Sequence, residues 1–130
     1  MPVVKITMRK GKSDAYKKAL LNGVHDALVQ AIKVPEFDRL QSLIELDADH
    51  FEALPQKSDK VTLIEIILFK GRSIEAKKAL YRQIVENLAI DPGIPGEDIM
   101  IILHESPLEN WGIRGGKAAS EVDLGFKIDV

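Results

Sequence analysis

Cysteine is absent from the 130 residues, which excludes disulfides, thiolate zinc centres, iron–sulfur ligation and cysteine nucleophiles. Histidine is scarce: His25, His50 and His104 stand far apart and never approach the HExxH spacing of a zinc site, so no metal centre is expected. Neither charge sign dominates, with 18 basic against 20 acidic residues and a net charge of −2, which argues against a nucleic-acid partner. No apolar run reaches the roughly 18 to 20 residues that span a bilayer, so no membrane partner is expected. The opening Met1-Pro2-Val3-Val4-Lys5 lacks the charged and apolar regions of a secretory signal, and a cytoplasmic location is expected. Chemistry in such a chain is left to amines, carboxylates, guanidinium groups and backbone.

What is present is an ordinary globular composition, 45% hydrophobic and 29% charged, sized for one domain over 1–130. The chain also repeats itself at an offset of 60: Lys10-Gly11-Lys12-Ser13 meets Lys70-Gly71-Arg72-Ser73, and Lys17-Lys18-Ala19-Leu20 meets Lys77-Lys78-Ala79-Leu80. Pro35 meets Pro95, Asp38 meets Asp98, Leu43 meets Leu103 and Glu45 meets Glu105. Two copies are too few for a solenoid and indicate a duplicated supersecondary unit, here 3–46 and 61–105 with a tail over 106–130.

Each unit reads as strand, helix, strand. Val3 to Met8 alternates apolar and polar residues, the pattern of a half-buried strand. Ser13 is placed to cap a helix that carries Tyr16, Leu20, Val24, Ala27, Leu28 and Ala31 on one stripe. Val34-Pro35 ends that helix, and Arg39 to Leu46 is extended. In the second unit Val61 to Phe69 is a strand, Ser73 the cap, Leu80, Ile84, Val85 and Leu88 the inward stripe, and Ile99 to Leu103 the closing strand. Residues 48–60 read as a polar connector, and the glycine-rich tail from Trp111 as irregular or a short hairpin. The fold class is α+β: duplicated β-α-β units forming a four-stranded sheet, with two right-handed crossovers placing both helices on one face.

That arrangement leaves a face to cover. Val61 to Phe69 and Ile99 to Leu103 are apolar on both sides, and such strands expect cover on both sides. The chain has no third helix, and 48–60 and the tail hold few large apolar residues, so another subunit is the expected cover, with Ile101 a candidate contact.

Four places carry candidate chemistry. Removal of Met1, favoured by the small residue that follows, would expose Pro2 as a secondary amine at the head of a strand. Free α-amino groups titrate near about 7.7 to 8, and burial or a cationic neighbour lowers that toward the ideal for a base at neutral pH. Lys70-Gly71-Arg72-Ser73 closes a strand and opens a helix, so backbone N–H groups, the helix dipole and two cations suit a small carboxylate or phosphate. A solvated turn is the alternative there. Asp38 stands at the helix-to-strand turn, beside the strand that follows Pro2, either as a site carboxylate or as a turn residue and partner for Arg39. Trp111, the single tryptophan, is either a packing anchor or one wall of an apolar pocket. Lys17, Lys18, Lys77 and Lys78 are expected on solvated helix faces, and His25 and His104 as structural or surface residues.

The initiating Pro2, the β-α-β duplication, Pro35-x-x-Asp38-Arg39, the Arg72-Ser73 turn and the late Trp111 together resemble the tautomerase superfamily. Within it, the chain is most similar to malonate semialdehyde decarboxylase and related tautomerases, over nearly its whole length. The resemblance implies a homotrimer without cofactor, in which Pro2 is the catalytic group, Asp38 assists, and Arg72 holds the carboxylate of a small oxo acid. Lys70 and Trp111 would complete the substrate-binding set. One position departs from the pattern: the decarboxylase has arginine where this chain has Lys70, a point donor without the planar fork of a guanidinium. Keto–enol tautomerisation asks less of the site than decarboxylation and is the expected activity. Decarboxylation or hydration, and a non-catalytic oligomeric ligand-binding module, are the alternatives.

Overall fold

The computed structural model describes residues 2–130. Six strands and two helices follow in order: β1 (Val3–Arg9), α1 (Asp14–Ile32), β2 (Gln41–Leu46), β3 (Thr62–Phe69), α2 (Ile74–Ile90), β4 (Ile99–Ser106), and the short β5 (Gly112–Ile113) and β6 (Lys117–Ala118). Four strands form one sheet in the order β2-β1-β3-β4. The outer pairs β1–β2 and β3–β4 are parallel, and the central pair β1–β3 is antiparallel, so a pseudo-twofold relates the two β-α-β units.

The duplication extends to individual hydrogen bonds. Ser13 Oγ accepts from Tyr16 N at 3.1 Å, and Ser73 Oγ accepts from Ala76 N at 3.1 Å. Both serines are extended N-caps, each followed by an acidic residue in the first turn, where the helix dipole favours it. Asp38 N and Asp98 N donate to Pro35 O and Pro95 O, both at 3.0 Å, closing identical turns. Lys17 reaches Glu45 at 2.7 Å and Lys77 reaches Glu105 at 2.6 Å, tying each helix to the second strand of its unit. These two lysines correct the expectation of solvated faces; Lys18 and Lys78 are exposed as expected.

Both helices lie on one face. Val4, Ile6 and Met8 of β1 and Ile64, Ile66 and Leu68 of β3 form a buried core with Leu20, Val24 and Leu28 of α1 and Leu80, Ile84 and Leu88 of α2. The helices approach closely at Gly23, where an added Cβ would stand 2.7 Å from Leu88 Cδ2. His25 is buried and structural, its Nε2 donating to Glu36 O at 2.9 Å.

The opposite face is only partly covered. Ile44 (37% exposed), Met100 (58%) and Ile102 (39%) point away from the helices. Ile101 does not: it packs against the helix-side core, which corrects its place as a partner-facing residue. The reason is register. Ile101 pairs with Ile64, and both belong to the set that alternates toward the helices. The tail covers more than its composition suggested. Phe69, Ile113 and Ala119 form a second buried cluster with Leu108, Trp111, Val122, Leu124, Phe126 and Ile128 packed on it. Of the two alternatives for the tail after Trp111, irregular chain or a short hairpin, the β5–β6 pair is the hairpin. Among the described residues, no helix is long and apolar enough to cross a membrane.

Candidate active site

The sheet register gathers the candidate residues at one end. Val3 pairs with Ile67 across the antiparallel centre, and Val4 pairs with Gln41 across the parallel edge. Continuing both registers by one or two residues sets Pro2 beside Leu68 on one side and Arg39 on the other. Val4 N donating to Leu40 O at 2.9 Å fixes the second alignment. Pro2 is therefore buried between the start of β2, preceded by Asp38, and the end of β3, which runs into Lys70-Gly71-Arg72. Met1 lies outside the described residues.

Asp38 is half-buried, and the neighbouring Arg39 guanidinium donates to Asn22 Oδ1 at 3.0 Å. Its counterpart Asp98 is buried and works differently, accepting from both Ser58 N (2.9 Å) and the Ser58 hydroxyl. Asp98 thus pins the connector to the sheet, a role its turn position did not suggest. The hydrogen bond from the Ser58 hydroxyl, aided by Ser58 N and the charges of Lys57 and Lys60, holds its carboxyl below the usual range although burial pushes the other way.

Arg72 is buried, with Nη1 donating to Phe69 O at 3.0 Å and Nε without a partner. Burial lowers its pKa, and the charge of Glu105 partly restores it. A guanidinium nevertheless keeps its proton in proteins, so Arg72 is a desolvated cation with unspent donor capacity. Lys70 is exposed, and its backbone N–H donates to Ser106 O at 3.0 Å. Gly71 has φ +145 and an added Cβ would meet Ile128 O at 3.0 Å, so the tail docks directly on this turn. Ser73 N donates to Val130 O at 3.0 Å and completes the docking.

Trp111 sits edge-on to Phe69, with ring centroids 4.6 Å apart, and Phe126 stacks on Phe69 at 6.4 Å. Its backbone is held by Ala119 N donating to Trp111 O at 2.9 Å. Trp111 Nε1 is buried without a hydrogen-bond partner, the second unsatisfied buried donor at this end of the sheet. One end therefore holds a buried imino-acid position, a carboxylate, a desolvated guanidinium, an exposed ammonium and an aromatic wall. That set suits a small anion against an apolar surface, and only a Pro2 freed of Met1 has the basic nitrogen to move a proton there.

The duplicated turn Lys10-Gly11-Lys12-Ser13 is at the other end of the sheet and is closed by the chain itself. Lys12 lies 2.9 Å from Asp59, Lys10 lies 3.1 Å from Asp47, and Arg9 donates to Phe51 O at 2.8 Å. Residues that sequence reasoning missed are Phe69 and Phe126, which support Trp111, and Phe51, which stands at the offset of 60 from Trp111. The last was legible in the repeat. Among the described residues, no three His, Asp or Glu side chains cluster as a metal site.

Comparison with known proteins identifies the family. Residues 38–114 and 2–54 match two family models, each described as tautomerase enzyme. The probable tautomerase YusQ of Bacillus subtilis is 31% identical, over 91% of this chain and 97% of that protein. A 2-hydroxymuconate tautomerase of Comamonas testosteroni is 37% identical over 42% of this chain and 86% of its own. Among solved structures, a malonate semialdehyde decarboxylase inhibited by 3-bromopropiolate superposes with a TM-score of 0.84 at 28% identity, covering 94% of this chain and 98% of that one. A symmetric trimer of fused 4-OT gives a TM-score of 0.81 at 26% identity, covering 91% and 96%. By the family model over residues 38–114 and the likeness to YusQ along nearly its whole length, the chain belongs to the tautomerase family.

Proposed function

We propose that this chain, with Met1 removed, uses the Pro2 amine for acid–base catalysis on a small 2- or 3-oxo acid, chiefly keto–enol tautomerisation. The observation that carries the reading is Pro2 buried at the sheet end where Arg72 keeps a buried donor without a partner. In the ketonising direction, the Pro2 nitrogen takes the enol hydroxyl proton and returns a proton to the adjacent carbon. Arg72, with Lys70, holds the carboxylate and steadies the developing enolate oxygen, a role worth most in a desolvated site. Asp38 keeps the ammonium form of Pro2 in place between the two transfers, and Trp111 forms the apolar wall.

Likeness to malonate semialdehyde decarboxylase favours a second activity on the same residues. There a 3-oxo acid would lose carbon dioxide, the bonding electrons would pass toward the carbonyl oxygen, and protonated Pro2 would deliver the proton to carbon. Assembly as a homotrimer fits the exposed apolar face and the trimeric fused 4-OT likeness.

The test compares Met-free protein, verified by intact mass, with protein carrying one extra residue before Pro2. A panel of enol and oxo acids is assayed on both. Turnover confined to the Met-free form is expected, while equal turnover by the blocked form would remove the proline mechanism.

A further inference from the structure

The end of the sheet opposite Pro2 is a replica of the candidate site with its parts exchanged. At the offset of 60, Thr62 stands for Pro2, Asp98 for Asp38, Lys12 for Arg72 and Phe51 for Trp111. Three of these four, Phe51, Thr62 and Asp98, line a cavity of about 430 Å³, completed by Leu54, Leu63, Met100 and their neighbours. That volume falls within the range of small-molecule sites. The fourth, Lys12, is neutralised by Asp59 at 2.9 Å and offers no seat for an anion.

Charge and hydrogen bonding then select the ligand. Asp98 is buried on the cavity wall, and its carboxyl is held ionised by Ser58. Each of its oxygens accepts one Ser58 hydrogen bond, which leaves acceptor capacity on a group with about four lone-pair sites. Thr62 Oγ1 spends its proton on Lys60 O at 2.8 Å, so it too can only accept. The buried polar groups of the cavity, Asp98 and Thr62, therefore accept and do not donate, inside walls that are mostly Phe, Leu, Val, Ile and Met. Lys57 also lines it, but its ammonium donates to Glu97 O and is outnumbered by the carboxylates of Glu52 and Asp98. A carboxylate is disfavoured there, and a neutral apolar molecule with one hydroxyl is favoured.

We propose that this cavity is a second ligand site, without proline and without turnover, for a small uncharged hydroxy-aromatic molecule whose O–H donates to Asp98. It goes beyond the reaction at Pro2 and does not depend on it.

Phenol is the probe, with benzoate as its charged counterpart and the full chain in its native assembly as the receptor. Backbone amide shifts are followed by NMR during titration of each. Saturable phenol shifts centred on Phe51, Thr62, Leu63 and Met100 are expected, with half-saturation at about 1 mM or below. Benzoate is expected to bind there at least about tenfold more weakly. Ala53, exposed on the cavity rim, is changed to tryptophan to narrow the cavity without entering the core. Ala53→Trp is expected to abolish those shifts while leaving oxo-acid turnover and the thermal midpoint unchanged. Equal binding of benzoate, shifts only around Trp111, or no binding because a second copy already fills the cavity would each overturn the proposal.

Discussion

Lys12 Nζ lies 2.9 Å from the Asp59 carboxylate, at the position in the first unit that Arg72 holds in the second. The connector thus places an internal carboxylate on one of the two duplicated turns. At the other turn the tail brings backbone carbonyls of Ile128 and Val130 instead, and the Arg72 guanidinium is left with a buried unpaired Nε. Duplication followed by different coverings has made two chemically distinct ends from one folding unit.

If Arg72 holds the substrate carboxylate, Arg72→Ala is expected to lower kcat/KM for oxo acids roughly ten- to a hundredfold, the worth of charge-assisted hydrogen bonds. Matching neutral ketones are expected to lose much less. Asp59→Asn, at the opposite end, is expected to leave both unchanged. Because Arg72 also donates to Phe69 O, melting of the variant is measured alongside. Equal losses on charged and neutral substrates would reassign Arg72 to support of the turn.

The open sheet face makes a paired prediction about assembly. Ile102 points away from the helices and Ile101 toward them. Ile102→Asp is expected to convert a trimer into folded monomer, because an unpaired carboxylate in a dry interface costs several kcal/mol. Ile101→Asp is expected to unfold the chain. Sedimentation and circular dichroism separate the two outcomes, and wild-type protein sedimenting as a monomer at micromolar concentration would end the trimer reading.

This pair also marks where sequence alone stops. The offset of 60, the serine caps and the alternation of β1 made the duplicated β-α-β architecture legible. The side of β4 that faces the helices was not, because Ile99-Met100-Ile101-Ile102-Leu103 is apolar at every step and only pairing with β3 resolves it. Pro2, Asp38 and Arg72 were each visible as candidates. Their convergence depends on the antiparallel β1–β3 register, which a repeat does not encode. The tail was misjudged for another reason. Val122, Leu124, Phe126 and Ile128 alternate with Asp123, Gly125 and Lys127 at the strand period, so a pattern is present there, but a count of large apolar residues does not register it. Leu108 and Trp111, which join them over Phe69, lie outside that period.

Asp98 gives a prediction in pH. Its native pKa is depressed, chiefly by the Ser58 hydrogen bond, so its contribution to stability is present above the unfolded value, about 3.9. It is lost as pH falls through the native value. Asp98→Ala, which removes both acceptors of Ser58, is expected to cost about 1 to 3 kcal/mol near neutrality. The melting-temperature gap between wild type and Asp98→Asn should hold from neutrality down to about pH 4 and then close. A gap that persists unchanged under strongly acidic conditions would show that the carboxylate charge is not what secures the connector.

Lys70 offers a test of which of the two proposed chemistries the site favours. Its ammonium is exposed, whereas Arg72 beside it is buried, so the turn now offers one fixed guanidinium and one mobile point charge. Tautomerisation needs charge near a developing enolate oxygen, which a lysine supplies. Decarboxylation also needs the departing carboxylate held in one orientation, which a planar fork achieves and an ammonium does not. Lys70→Arg is therefore expected to raise kcat/KM for decarboxylation of a 3-oxo acid by roughly tenfold, while tautomerisation changes by less than about threefold. Lys70→Ala is expected to lower both, more weakly than Arg72→Ala, because an exposed charge is screened by solvent. Both reactions are to be assayed on the same Met-free preparation. If Lys70→Arg raises the two rates in parallel, grip on the carboxylate does not separate them, and the lysine is a neutral replacement in a site that already decarboxylates.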